Sequence, residues 1–250
     1  MRRSRQKPSS RKKEQEKKDF QRKTNDKEKV HDIIISCEDS VSAPAYFQKI
    51  IDKLIQNKKI TQDSIVIVNQ KKVKGSNPTK VLERLKNYNE NGKLYKDFTD
   101  KWIVIDRDTP RVNSGGHTAK DFNEALQNSK SKISKYNVDV AYANDSFELW
   151  YLLHFDYINS SLHRDDINKK LIKKLKLKNP SIFSNLDDEN IKTVKYTKLI
   201  FDELLASQEK AISRAKKLLL SYGENHNPEK DNPSTTVHKL VEILNSLQKD

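Results

Sequence analysis

A single cysteine, Cys37, stands in the 250 residues, which excludes an intramolecular disulfide and any zinc site built from several thiolates. Long apolar runs are missing too. No stretch approaches the roughly 20 consecutive apolar residues of a membrane-spanning helix, so no membrane partner is expected. The N-terminal region lacks the apolar core of a secretory signal, and the expected location is the cytoplasm. No internal repeat marks a solenoid or propeller. Negative charge is in deficit, with 35 Asp/Glu against 49 Lys/Arg and a net charge of +14. Residues 1–30 carry 13 Lys/Arg against 5 Asp/Glu and so contribute +8 of it. This arm also lacks periodic apolar positions, so residues 1–29 read as a basic disordered segment. Such an arm either keeps the chain soluble or adds counterion-releasing affinity for a phosphate backbone.

What is present is an alternation of strand and helix signals. Strands are expected at Asp32–Cys37, Ser64–Asn69, Trp102–Asp106 and Val138–Ala143. Between the first two, Tyr46, Phe47, Ile50, Ile51, Leu54 and Ile55 recur at helical spacing over Pro44–Gln56. Pro44 suits a first helical turn, where a missing N–H costs little. A helix over Pro78–Tyr88 has Asn77 as its candidate cap, and another covers Asp121–Asn128, extending toward Ser134. Four strands with helical crossovers predict an α/β fold: a parallel sheet of about four strands with flanking helices. Residues 30–156 form this core. From Ser146 the pattern turns helical, at Phe147–Phe155, Asp166–Leu175, Lys192–Ser207, Gln208–Leu220 and Thr236–Gln248. Residues 157–250 therefore read as a helical lobe packed on the core.

The chemistry gathers at strand ends. The run Trp102–Asp106 breaks into Asp106 and Asp108, one residue apart, and Ile33–Cys37 ends in Glu38. Parallel α/β sheets collect the C-terminal ends of their strands along one edge, where ligands bind. Three carboxylates there would repel one another unless a cation sat between them. Hard oxygen donors with room for water favour Mg²⁺ or Mn²⁺. The loop Thr109–Lys120 follows directly, in the place where loops cover sites. Cys37 has no local basic partner to activate its thiol, so a structural role is expected.

The residues then meet a family. Ile35-Ser36-Cys37-Glu38 with Pro44-Ala45-Tyr46-Phe47 resembles the opening motif of the RloB-like proteins. Val104-Ile105-Asp106-Arg107-Asp108 resembles a second block, and Asn144-Asp145-Ser146-Phe147-Glu148-Leu149-Trp150 a third. Asn232-Pro233-Ser234-Thr235-Thr236-Val237-His238 resembles a fourth. The resemblance runs from about residue 33 to 244 and implies a Toprim-like fold, with Glu38 as its glutamate and Asp106 and Asp108 as its Asp-x-Asp pair. It implies a Mg²⁺- or Mn²⁺-dependent nuclease acting on DNA or RNA, the effector of an abortive-infection phage defence. An AAA-type ATPase of the RloA kind is the implied protein partner, and the oligomeric state stays open. Two departures stand out. The family's acid just before Pro44 is replaced by Ala43, which favours one metal over two. Asn144-Asp145-Ser146 replaces a more common Asn-Pro-Ser.

On this reading Glu38, Asp106 and Asp108 are the catalytic carboxylates and, with Glu148, the metal ligands; Glu38 serves as a further ligand or as general acid/base. Glu148 equally fits a helix-capping acid three residues after Asp145. His117, on the loop after Asp108, could protonate a leaving group or be a solvated side chain. Lys71, Lys72 and Lys74 could grip a phosphate backbone or form a solvated charge run. Arg107 either contacts phosphate or pairs with a carboxylate, and Asn144, at the end of the fourth strand, could face the same edge and hydrogen-bond substrate or a metal-bound water. Trp150, Leu152, Leu153, Phe155 and His154 read as packing residues. The competing class is a catalytically degenerate module that binds nucleic acid or regulates.

Overall fold

The computed structural model describes residues 32–68, 76–109, 119–130 and 137–248. The arm at 1–29, Lys71, Lys72, Lys74 and His117 lie outside them. Chain order begins with β1 (Ile33–Cys37), α1 (Ser42–Gln56), β2 (Ile65–Ile67) and α2 (Pro78–Lys86). A small hairpin of β3 (Asn89–Glu90) and β4 (Lys93–Leu94) follows, then β5 (Asp100–Asp106), α3 (Ala119–Ser129) and β6 (Asp139–Asn144). The second half comprises α4 (Glu148–Leu153), α5 (Arg164–Lys178), α6 (Pro180–Phe183), α7 (Val194–Leu204) and α8 (Gln208–Tyr222). It ends with β7 (Ser234–Thr235) and α9 (Val237–Ser246).

The main sheet runs β2-β1-β5-β6-β7. Its first four strands are mutually parallel and β7 is antiparallel to β6. This is the expected α/β class, with a Toprim-like central sheet and one strand more than the sequence suggested. Alternation along β1 assigns the two faces. Ile33, Ile35 and Cys37 pack with Trp102, Val104 and Ala141, while Ile34 packs with Ile103, Ile105 and Tyr142. Successive side chains on a strand point to opposite sides, and both sides here are covered, which is why these strands are continuously apolar. Helices α2 and α3 cover the Ile34 face; α1 and the helices of the second half cover the other. Residues 32–250 accordingly form one compact unit.

Aromatic rings fill the layer between α1 and the second half. Tyr46 meets Phe201 at 5.0 Å, Phe147 at 5.9 Å and Trp150 at 6.4 Å between ring centroids. Its buried hydroxyl accepts from Gln208 Nε2 at 3.0 Å, so the phenol is satisfied inside the core. Cys37 is fully buried in the same layer, and burial first, then the Asp39 charge, pushes its thiol well up. Its role is structural, as expected.

Strand β7 is the principal addition. Read from sequence, Ser234-Thr235-Thr236-Val237 simply started a helix. In the fold Thr235 Oγ1 donates to Tyr142 O at 2.7 Å and Thr236 Oγ1 donates to Val140 O at 2.9 Å. The Tyr142 N–H donates back to Thr236 Oγ1 at 3.0 Å. The two hydroxyls thus saturate the open edge of β6, a need that exists only once the sheet has assembled. The hairpin was also missed, although Asn91-Gly92 carries the left-handed φ values of 53° and 77° that favour a two-residue turn.

Replacing fully buried Trp150 should expose how far the two halves share one core. Trp150→Ala is expected to cost about 3–5 kcal/mol in a single cooperative thermal transition. Two separate transitions, or a loss under about 1 kcal/mol, would mean that the helices of the second half fold apart from the sheet.

Candidate functional site

The site forms where β1, β5 and β6 end. Parallel pairing sets Cys37 beside Val104 and Asp106 beside Ala143, so the residues just beyond share one edge. The Glu38 N–H donates to Val104 O at 2.8 Å, and Glu38 Oε2 accepts from the Asp106 N–H at 3.1 Å. The Glu38 carboxylate therefore lies against the backbone at the C-terminal end of β5, where Asp106 stands. After Asp106 the chain turns: Asp108 adopts a left-handed φ of 47°, a conformation aspartate tolerates better than most residues. Asp145 holds that turn. Its backbone oxygen accepts from the Asp108 N–H at 3.1 Å and its Oδ1 from the Thr109 N–H at 2.6 Å. Its Oδ2 accepts from the Arg164 N–H at 2.9 Å, tying the start of α5 to the same point. The Asn144–Asp145 peptide is cis.

Around these backbone ties the side-chain charges are concentrated and buried. Asp106 is 7% exposed and its carboxyl is raised well above the ordinary range, by burial first and then by Glu148 and Glu38. Glu38 is pushed up to about 8, chiefly by burial and next, against the Asp106 N–H bond, by the Asp108 charge. Asp39 is raised by burial and by Glu148, although its oxygens accept from Val41 N–H at 2.8 Å and Ala43 N–H at 2.7 Å at the start of α1. That commitment removes it as a replacement for the acid missing at Ala43.

Glu148 begins α4 but makes no capping box with Asp145, whose carboxylate is occupied by Thr109 and Arg164. Instead it accepts from Ser42 Oγ at 3.0 Å and pairs with Lys192 Nζ at 3.1 Å. Burial would raise its carboxyl, but Lys192 more than offsets this and the net shift is downward. Its Oε2 is buried without a hydrogen-bond partner. Electrostatic coupling to Asp106 makes Glu148 part of the acidic group.

Two cations that the sequence reading passed over complete the arrangement. Arg164 Nη1 pairs closely with Asp108 Oδ1, and its Nη2 lies 3.7 Å from Asp106 Oδ2. Lys192 answers Glu148 and also feels Asp106. Both come from the helical half, more than a hundred residues from Glu38. One signal was available: a basic first-turn residue opposes the helix dipole, whereas Asp165 and Asp166 beside it suit that turn.

Other candidates separate from the site. Asn144 Nδ2 donates to the carbonyls of Pro228, Glu229 and Asp231 at 3.1, 3.3 and 3.1 Å. The amide nitrogen thereby clamps the loop ahead of β7. Arg107 joins that clamp, pairing with Glu229 Oε1 at 2.8 Å and donating from Nε to Glu229 O at 3.2 Å. Of its two readings, the carboxylate pairing is the one present. His154 packs edge-on to Trp150 with Nδ1 3.0 Å from Leu204 O, and burial lowers its pKa to about 3. It is a packing residue.

The donor set consists of hard carboxylate oxygens. Burial holds Glu38 and Asp106 above the ordinary carboxylate range, and Glu148 Oε2 is buried without a hydrogen-bond partner. As hard oxygen donors these side chains have the chemistry that Mg²⁺ or Mn²⁺ takes. Among the described residues, however, no three Asp, Glu, His or Cys side chains converge closely enough to hold an ion; Arg164 lies against Asp106 and Asp108 instead.

A carboxyl raised on folding is protonated more readily in the folded than in the unfolded chain, so its contribution to stability is present below the unfolded value and lost as pH rises through the folded one. Glu38→Gln keeps an acceptor for the Asp106 N–H and cannot ionise. Its melting temperature should therefore overtake that of the wild type between pH 4.5 and about 8, by on the order of 5 °C. A pH-independent difference would show that Glu38 is not raised. Lys192→Met should cost about 3–5 kcal/mol by stranding buried Glu148, and adding Glu148→Gln should restore most of it. Equal losses in the single and double variants would show that the pair is not coupled.

The family model described as RloB-like protein matches residues 33–244, from the first residue of β1 into α9. No curated protein and no solved structure gives a significant match. No helix among the described residues is long and apolar enough to cross a membrane. With its strand-end glutamate, its Asp-x-Asp turn and the Thr-Thr edge strand all inside the matched span, the chain belongs to the RloB-like family.

Proposed function

We propose that this protein is a Toprim-type nuclease that hydrolyses phosphodiester bonds with Mg²⁺ or Mn²⁺. Further, we propose that it acts as the effector of an abortive-infection phage defence with an AAA-type ATPase partner. The observation that carries the chemistry is the meeting of Glu38 with the Asp106 backbone at 3.1 Å, on the edge where Asp108 turns back. Family membership makes a Toprim-type enzyme the natural class, and the partner and defence role come from what that family resemblance implies.

Glu38, Asp106 and Asp108 would hold the ion, with Glu148 as the neighbouring carboxylate. When bound, the ion supplies charge neutralisation at the phosphoryl oxygens. The chain's own residues do the rest. With no ion beside it the Glu38 carboxyl is raised to about 8, so Glu38 serves either as a proton carrier or, ionised, as a further ligand, and not as both at once. Its Oε2 accepts from the Asp106 N–H, which holds the carboxyl at the end of β5. Asp145 fixes the turn that aims Asp108. Helix α5 offers a path for the remaining phosphates: Lys169, Lys173 and Lys176 border a groove of about 440 Å³ whose lining also holds Ile172, Leu177, Leu186, Asp187 and Asp188. Their helix begins at Arg164, so the basic face leads away from the acidic edge, as a backbone track would.

A second reading has its own support. Ala43 stands where an acid is expected, Asp39 is committed to the start of α1, and Arg164 occupies the acidic turn. A degenerate module that binds nucleic acid without cutting it would look like this.

The deciding experiment incubates the full chain, with and without the ATPase partner, with labelled DNA and RNA in Mg²⁺ or Mn²⁺. Cleavage is expected, and Asp106→Asn or Asp108→Asn should lower it by about 100-fold or more. Binding with no cleavage above the Asp106→Asn level, in every combination, would overturn the nuclease reading in favour of the binding module.

A further inference from the structure

Arg164 combines features that a merely structural arginine does not need. It sits in the first turn of α5, where the helix dipole disfavours a cation. Its side chain, only 11% exposed, reaches back past the helix start to two carboxylates from another element, Asp108 and Asp106. Its Nε is buried with no hydrogen-bond partner. The guanidinium is therefore held by charge more than by a full set of hydrogen bonds. Burial would lower its pKa, but Asp108 and Asp106 more than offset this, so it stays cationic. The opposing side is equally distinctive. The two aspartates are paired so unequally that Asp108 takes the close contact and Asp106 stays 3.7 Å away, while Glu148 keeps one buried oxygen without a partner.

We propose that Arg164 is the resident counter-ion of the acidic edge: it fills the charge-compensating position between Asp106 and Asp108 that a divalent ion needs, so the two exclude each other. This rests on the metal reading given above. It accounts for the paradox of the site, in which suitable oxygen donors share one edge and yet, among the described residues, no three converge on an ion. Burying those acids with no cation would be prohibitive, and Arg164 lets the chain fold before any ion arrives. The same contact must then be broken for an ion to enter, which weakens its apparent affinity by the strength of the ion pair. Arg164 cannot relieve the competition by losing its proton, because a guanidinium remains charged at any accessible pH. It has to move.

The test is a calorimetric titration of Mn²⁺ into the full chain without nucleic acid, for wild type, Arg164→Gln and Arg164→Lys. Asp106→Asn serves as the ligand-loss control, and thermal melts confirm folding. Arg164→Gln should bind Mn²⁺ at least about tenfold more tightly than wild type, the effect of removing one nearby positive charge. Arg164→Lys keeps the charge but loses the span across two carboxylates. It should fall between the two, and it carries the test if Arg164→Gln melts too low. Loss of a structural arginine would loosen the site and weaken Mn²⁺, so the direction itself discriminates. Equal or weaker binding in the variants, with wild-type binding abolished by Asp106→Asn, overturns the counter-ion role and leaves the metal reading standing. Absence of Mn²⁺ binding in every protein overturns both.

Discussion

The constraint on which this structure turns is the burial of like charges at one sheet edge. Glu38, Asp106 and Glu148 are drawn together because three segments end there, and each is removed from the water that would otherwise screen it. Buried carboxylates in such company require cations. The protein supplies two of its own from the helical half: Lys192 on Glu148, and Arg164 on the aspartates. The second half is thereby bound to the sheet by electrostatics as well as by apolar packing. This explains why residues 32–250 form one unit although their sequence changes character midway.

Precision at the edge comes from residues with no direct chemical part. Asp145 collects the turn after β5 and the start of α5 on one side chain. Asn144 and Arg107, its neighbours in space, grip the loop ahead of β7, where His226 also pairs with Asp231 at 2.7 Å and meets the Tyr142 hydroxyl at 2.5 Å. Thr235 and Thr236 then close the edge of β6 with their hydroxyls. The catalytic candidates are consequently carried on strands whose ends are fixed from both sides, a condition for holding reacting groups in one geometry.

Much of the fold was legible because its signals are local. Ile33-Ile34-Ile35 and Trp102–Ile105 announce strands buried on both faces, and the helical spacing of Tyr46, Phe47, Ile50 and Leu54 announces α1. Their acidic ends then followed from parallel topology, which is why Glu38 and Asp106 were found together. What escaped was either too short or too distant. Strand β7 spans two residues and has no period to detect; its hydroxyls make sense only against the edge of β6. Asn144 read as a site residue because its strand ends at the right place, but position along a strand does not say which loop will arrive to take its amide. Glu148 resembled a capping acid for the same reason, since the local pattern is satisfied while the competing partners, Thr109, Arg164 and Lys192, come from elsewhere.

The sequence by itself determined the class of fold, the edge on which the acids gather and the oxygen-rich chemistry they offer, because alternation and periodicity are read over a few residues at a time. Only the tertiary structure decided how that charge is balanced. Arg164 reaches Asp106 across 58 residues of sequence and Lys192 reaches Glu148 across 44. Electrostatic compensation depends on distance in space, and the order of residues along a chain does not encode it locally.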